Sequence, residues 1–242
     1  MSKAEKYYSS FRKHYKRCYV SIEKDLNDYI GNFSVIVHKK LNIRDHIYHT
    51  VIGLLESKTR ILSQRIIDSF TRIMYDMVNE LYPRYMKDNH LPIKPNLSLV
   101  YDEISNKINV FARRICLAIQ SEIETIILTS ENPFEKLLDI FPVEQNSGKY
   151  HSRLKTMAYM NLLFCLNYLF DVCNRTNGKH SIVVNLNEFK YPYEEQLNES
   201  NGLFKFKRHK EMRNIVWERK GQYFVGEVPP SHFGSKEIVL PA

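Results

Sequence analysis

A chain of 242 residues and 28.8 kDa is long enough to bury a full core, either as one domain with an appendage or as two small domains. With 43% hydrophobic and 26% charged residues it has the make-up of an ordinary folded soluble protein. Its 16 tyrosines and 13 phenylalanines against only 8 glycines favour helices with aromatic packing over a loop-rich or repeat architecture. The formal charge of +8 is uneven: residues 1–20 carry six basic side chains and one acidic, residues 203–220 seven and two. Basic ends of this kind suit a polyanion, most directly nucleic acid, while a solvated charged face accounts for the same residues without a ligand.

In chain order, Phe11, Tyr15, Cys18, Ile22, Leu26 and Tyr29 recur at spacings of three and four, which predicts a helix over about residues 6–30, ended by Gly31-Asn32. Arg12, Lys13, Lys16 and Arg17 lie off that stripe and are candidates for contact with nucleic acid. A second helix follows through Ile43, Ile47, Val51, Leu54, Leu62, Ile66, Ile73, Met77 and Leu81. Pro83 is expected to end it, because the residue before a proline leaves the helical region. Pro92 and Pro95 make residues 88–96 a rigid connector, after which Val100, Ile104, Ile108, Phe111, Ile115, Ile119, Ile123 and Ile126 form one stripe of a third helix with Arg113 and Arg114 off it. Asn132-Pro133 reads as a cap with proline at the first helical position, opening a short helix that Pro142 stops.

The helix expected over about residues 150–174 is apolar on nearly all sides around Leu162-Leu163-Phe164-Cys165-Leu166, the pattern of a bundle's buried centre, and Asn177-Gly178 supplies a left-handed cap. Its most apolar run, residues 157–172, is interrupted by Asn161 and Asn167 and is short for a bilayer, so no membrane span is expected. The period then changes. Ile182, Val184 and Leu186 alternate as in a strand, a polar loop follows, and Leu203-Phe204-Lys205-Phe206 is a further strand. These patterns predict an α+β fold: a mainly helical bundle body over residues 1–178 with a small antiparallel β-rich module over 179–242.

Within that module Asn214-Ile215-Val216-Trp217 and Gln222-Tyr223-Phe224-Val225 flank Glu218-Arg219-Lys220-Gly221, a hairpin signal. Pro229-Pro230 cannot donate to a ladder, so the chain is expected to leave extended, carry His232 and Phe233 back over the hairpin, and close the sheet with Glu237-Ile238-Val239-Leu240. The ordered series Arg208, His209, Met212, Asn214, Val216, Trp217, Pro229, Pro230, His232, Phe233, Gly234 and Pro241 resembles the C-terminal signature of the phage Mu F-like minor head proteins, the head-morphogenesis family. Ser235-Lys236 stands where that family has Cys-Arg. The resemblance covers about the last 35 residues. It implies a non-enzymatic virion protein near the portal, oligomeric within an assembly, with portal or capsid proteins as partners and packaged DNA as a further contact. Lys205, Lys207, Arg208, Lys210 and Arg213 would then join the residues of the basic N-terminus.

A second class remains open. Arg44-Asp45-His46-Ile47-Tyr48-His49 fits the Arg-x4-His pattern of HEPN-type ribonucleases, dimeric enzymes that gather Arg and His at a subunit interface, and would make Arg44 and His49 catalytic. The same spacing recurs at Arg175 to His180, and a solvated helix face explains Arg44, Asp45 and Tyr48 equally. A basic nucleic-acid-binding module without chemistry is a third reading. His46 and His49, three apart, have no cysteine near them, and no cofactor or metal is expected. Gly-rich phosphate loops, serine nucleophile elbows and zincin motifs are absent from the sequence. His209 and His232 are expected to pin the hairpin by hydrogen bonds and Trp217 to serve in the β-module's core, while Lys205, Lys207, Arg208 and Tyr223 nearby keep a base-stacking role for it open. Cys18, Cys116, Cys165 and Cys173 show no paired spacing and read as reduced core thiols of an intracellular protein. Met1-Ser2-Lys3-Ala4-Glu5-Lys6 lacks an apolar signal region, so a virion or host-cytoplasm location is expected rather than secretion.

Overall fold

A computed structural model describes residues 2–40, 48–132, 135–136, 149–186, 216–217 and 236–241. Helices α1 (Lys3–Lys40), α2 (Tyr48–Asp88), α3 (Leu97–Thr129) and α4 (Lys149–Thr176) are followed by strands β1 (Ser181–Asn185), β2 (Val216–Trp217) and β3 (Glu237–Pro241). The fold is therefore mainly helical with a small antiparallel β element towards the C-terminus. Its strand order is β2-β1-β3.

Two expected helix ends are corrected. α1 runs through Gly31-Asn32 to Lys40. Glycine within a helix costs only about 1 kcal/mol relative to alanine, too little to stop a helix whose preceding turns bury Ile22, Leu26, Tyr29 and Ile30. α2 passes Pro83 and continues to Asp88. Pro83 is exposed, so its ring and missing N–H sit on the solvent side, while Tyr85 and Met86 beyond it are buried and hold the last turn in place. The stop comes at His90, which adopts a left-handed φ of 52°. Leu91 N donates to Met86 O (2.9 Å) and His90 N to Lys87 O (3.2 Å), the bond pair of a left-handed C-terminal cap. α4 ends in the same way at Gly178 (φ 66°), with Lys179 N on Asn174 O (2.9 Å) and Gly178 N on Arg175 O (3.0 Å), as the Asn177-Gly178 pair predicts.

α3 begins at a cap in which Ser98 N donates to Asn96 Oδ1 (3.1 Å), and all eight residues of its expected stripe are buried while Arg113 and Arg114 are exposed. α4 buries Leu162, Leu163, Phe164, Cys165 and Leu166, as expected of a central helix. By length and composition alone Tyr150–Thr176 is long and apolar enough to cross a membrane, contrary to the expectation from its length. However, 67% of its most apolar window is buried within the protein, as in the core helix of a bundle. Residues 135–136 are helical. The rest of the expected short helix, the 203–206 strand, and the second strand and Pro-Pro arm of the hairpin lie outside the described residues.

Two compact units divide the chain, one of residues 1–14, 75–102 and 159–242, the other of 15–74 and 103–158. The core of the first is aromatic: Tyr85 stacks on Phe170 with centroids 3.7 Å apart, and Tyr7 meets Phe170 edge-on at 5.1 Å. That of the second is largely aliphatic, with Ile22, Leu26, Leu55, Leu62, Ile66, Ile108 and Ile119 fully enclosed, each worth about 1.5–3 kcal/mol of burial. It also holds the buried pair Tyr29 and Thr59, whose hydroxyls are 3.0 Å apart, and His151, hydrogen-bonded to Asn27 Oδ1 at 2.8 Å.

Candidate functional site

Among the described residues, buried polar groups are densest in the first unit, where the sheet meets α4. Asn167, Asp171 and Asn174 are four and three residues apart, so one face of α4 carries all three, and all three are buried. Ser181, the first residue of β1, donates from Oγ to Asp171 Oδ1 (2.8 Å) and accepts from Asn174 Nδ2 (2.9 Å). Tyr85 OH donates to Asn174 Oδ1 (2.9 Å) and lies 3.4 Å from Val239 O. Arg175 Nε stands 2.8 Å from Asp171 Oδ2, an ion pair that compensates the buried carboxylate. Burial, above all, pushes the Tyr85 phenol well up, so it is a hydrogen-bond donor at any physiological pH.

Asn167 does something different. Its Nδ2 donates to Glu237 O (2.9 Å) and its Oδ1 accepts from Val239 N (3.0 Å), a carbonyl and an N–H two residues apart on one side of β3. Those are the groups a fourth strand would pair with, so one carboxamide occupies the edge of the sheet. Asn177 treats the connector after α2 similarly, accepting from Ile93 N and donating to Ile93 O, both at 2.8 Å.

β1 is the strand around which the C-terminal residues gather. Ser181 pairs with Trp217 of β2 on one side and Pro241 of β3 on the other, so two residues of the head-protein-like series meet across a single serine. The other residues of that series with an assigned structural role, Arg208, His209, Met212, Pro229, Pro230, His232 and Phe233, lie outside the described residues, as do Lys205, Lys207, Lys210 and Arg213. Arg44 and His46 lie outside them too. His49 falls in the first turn of α2, with its side chain beyond what is described. Arg12, Lys13, Lys16 and Arg17 are all exposed on α1, at spacings of one and four.

The chemistry of the buried cluster is that of a clamp. Ser181 Oγ is committed to Asp171 and Asn174 and is enclosed, and Asp171 is committed to Arg175, so no nucleophile is poised against a base there. Among the described residues no group of three His, Cys, Asp or Glu side chains is placed to hold a metal ion. Sequence reasoning noticed Asn167 only as an interruption of an apolar run. The available signal was its recurrence with Asp171 and Asn174 on one helix face, but nothing in the sequence named the strands that would satisfy them.

No family model, no curated protein and no solved structure matches the chain.

Proposed function

We propose that the chain is a non-enzymatic component of a phage head, a minor head-assembly protein acting near the portal, with the basic residues of α1 turned towards packaged DNA. The observation that carries this reading is the ordered series from Arg208 to Pro241, whose two described pieces, β2 and β3, flank β1. The polar groups of the clamp are engaged in holding strands to a helix, as befits a binding module. The exposed side chains of Arg12, Lys13, Lys16 and Arg17 on α1 supply cations for phosphates.

The deciding experiment is mass spectrometry of purified proheads and mature particles from the phage that encodes the chain. The protein is expected in both, at a fixed ratio to the portal protein, and its absence from both would sink the proposal. DNA contact is tested separately by affinity against salt. Four phosphate contacts give a slope of roughly −3.6 in log K against log salt. Binding should therefore fall by roughly a hundredfold between 50 and 200 mM salt, and the slope should flatten when Arg12, Lys13, Lys16 and Arg17 are all changed to Gln. An affinity indifferent to salt removes the DNA contact from the proposal.

A further inference from the structure

Among the described residues seven large hydrophobic side chains are exposed, and three of them, Val110, Leu117 and Leu128, belong to α3. Single exposed apolar side chains are ordinary, so the alignment of these three is what calls for an explanation. At about 100° per residue, positions seven, eleven and eighteen apart return to within about 20° of one direction. The three therefore form one stripe roughly 27 Å long at 1.5 Å per residue. It lies on the side of α3 opposite Ile108, Ile115, Ile119 and Ile126, which are buried in the second unit. α3 thus carries two apolar stripes, and among the described residues of its own unit one is buried.

The charges beside the outer stripe indicate its occupant. Arg113 and Glu124 flank it on the same side, Arg113 exposed and Glu124 half-buried. We propose that α3 pairs antiparallel with α3 of a second copy of this chain, about a two-fold axis near Ile119, the midpoint of Val110 and Leu128. In that register Val110 faces Leu128 of the second copy, twice. Leu117 faces the small Ser121 of the second copy, which lets the helices approach closely at the axis. A two-fold perpendicular to antiparallel helices brings like flanks together, so Arg113 of each copy meets Glu124 of the other. Parallel pairing would align the apolar stripes too, but it would set Arg113 of one copy beside Arg114 of the other, and the like charges oppose it. Gln120 Nε2, 2.8 Å from Glu124 Oε1, already orients that carboxylate along the flank. The inference stands independently of the head-assembly reading.

The test is sedimentation equilibrium of the full chain over a concentration series, with circular dichroism to verify that each variant is folded. The parent is expected to be a dimer that dissociates on dilution. Arg113→Glu and Glu124→Arg should each weaken it by roughly tenfold, as two rim ion pairs become two like-charge contacts, and the double variant should return to near the parent. Register is read by oxidative cross-linking, which the native cysteines do not confuse because all four are buried. Val110→Cys combined with Leu128→Cys should cross-link, and Leu128→Cys alone should not. A parent that stays monomeric, a double charge swap no tighter than either single one, or cross-linking through Leu128→Cys alone each overturns the proposal.

Discussion

Replacing Asn167 with leucine separates the sheet-edge contact from simple packing. The two side chains are similar in size, so the change leaves little cavity, and Asn167 is fully enclosed. What it removes is the donor to Glu237 O and the acceptor for Val239 N. Each buried group left without a partner costs about 1–3 kcal/mol, so the pair costs about 2–6 kcal/mol. That is a large share of the roughly 5–15 kcal/mol by which such a chain is stable. In urea, with a slope of about 2 kcal/mol per molar, a loss near 4 kcal/mol lowers the midpoint by about 2 M. Amide exchange adds a local readout: the Val239 N–H should lose its protection while the β1 amides paired across the ladder lose less. An unchanged midpoint together with an unchanged Val239 exchange rate would refute the idea that this carboxamide stands in for a missing strand.

Burial holds the His151 imidazole below its usual value, outweighing the opposite pull of Glu23. The unfolded chain therefore takes up a proton near pH 6.5 that the folded protein resists, and stability falls as pH drops below about 6.5. His151→Gln, which can keep the bond to Asn27, should flatten the slope of urea midpoint against pH between 7 and 5, and an unaltered slope would assign it to other groups. The thiols of Cys18, Cys116 and Cys173 are pushed up to about 12 by burial, so a disulfide reagent should label the native protein very slowly and all four cysteines promptly in guanidinium. Rapid native labelling would contradict the enclosed placement. Pro83→Ala restores an N–H within α2 at an exposed position and should raise the thermal midpoint, by an amount corresponding to at most about 3 kcal/mol. A lowered midpoint would mean the proline's ring makes a contact the helix depends on.

The helical body was legible where one face of a helix repeats without interruption. The α3 stripe from Val100 to Ile126 and the enclosed run around Leu162 of α4 appear in the structure as the sequence predicts, and so does the glycine cap at Gly178. Helix ends were misread where a local signal met a tertiary one. Gly31 and Pro83 are weak or strong breakers taken alone, yet buried residues on both sides of Pro83, and those leading up to Gly31, carry the helix through. His90 shows the converse. It takes the left-handed conformation that glycine usually supplies, because the turn is held by Asn89, whose Nδ2 donates to Tyr85 O at 2.9 Å, and by the cap bonds of His90 and Leu91. No propensity at position 90 announces that arrangement.

The clamp was illegible for a related reason. In sequence, Asn167, Asp171 and Asn174 are polar exceptions in the apolar half of α4. Apart from Arg175, which pairs with Asp171 within α4, their partners lie at Tyr85, Ser181, Glu237 and Val239, from 7 to 89 residues away. Each group would cost free energy in the interior if left alone, so α4 cannot be buried as it is unless β1 and β3 are in place against it. Conversely β3 is an edge strand of five residues, too short to be stable by its own ladder, and it gains Asn167 as a neighbour only when α4 has formed. Helix and sheet therefore satisfy one another's unpaired groups, and the polar face that looks like a flaw in α4 is what sets the position of β3.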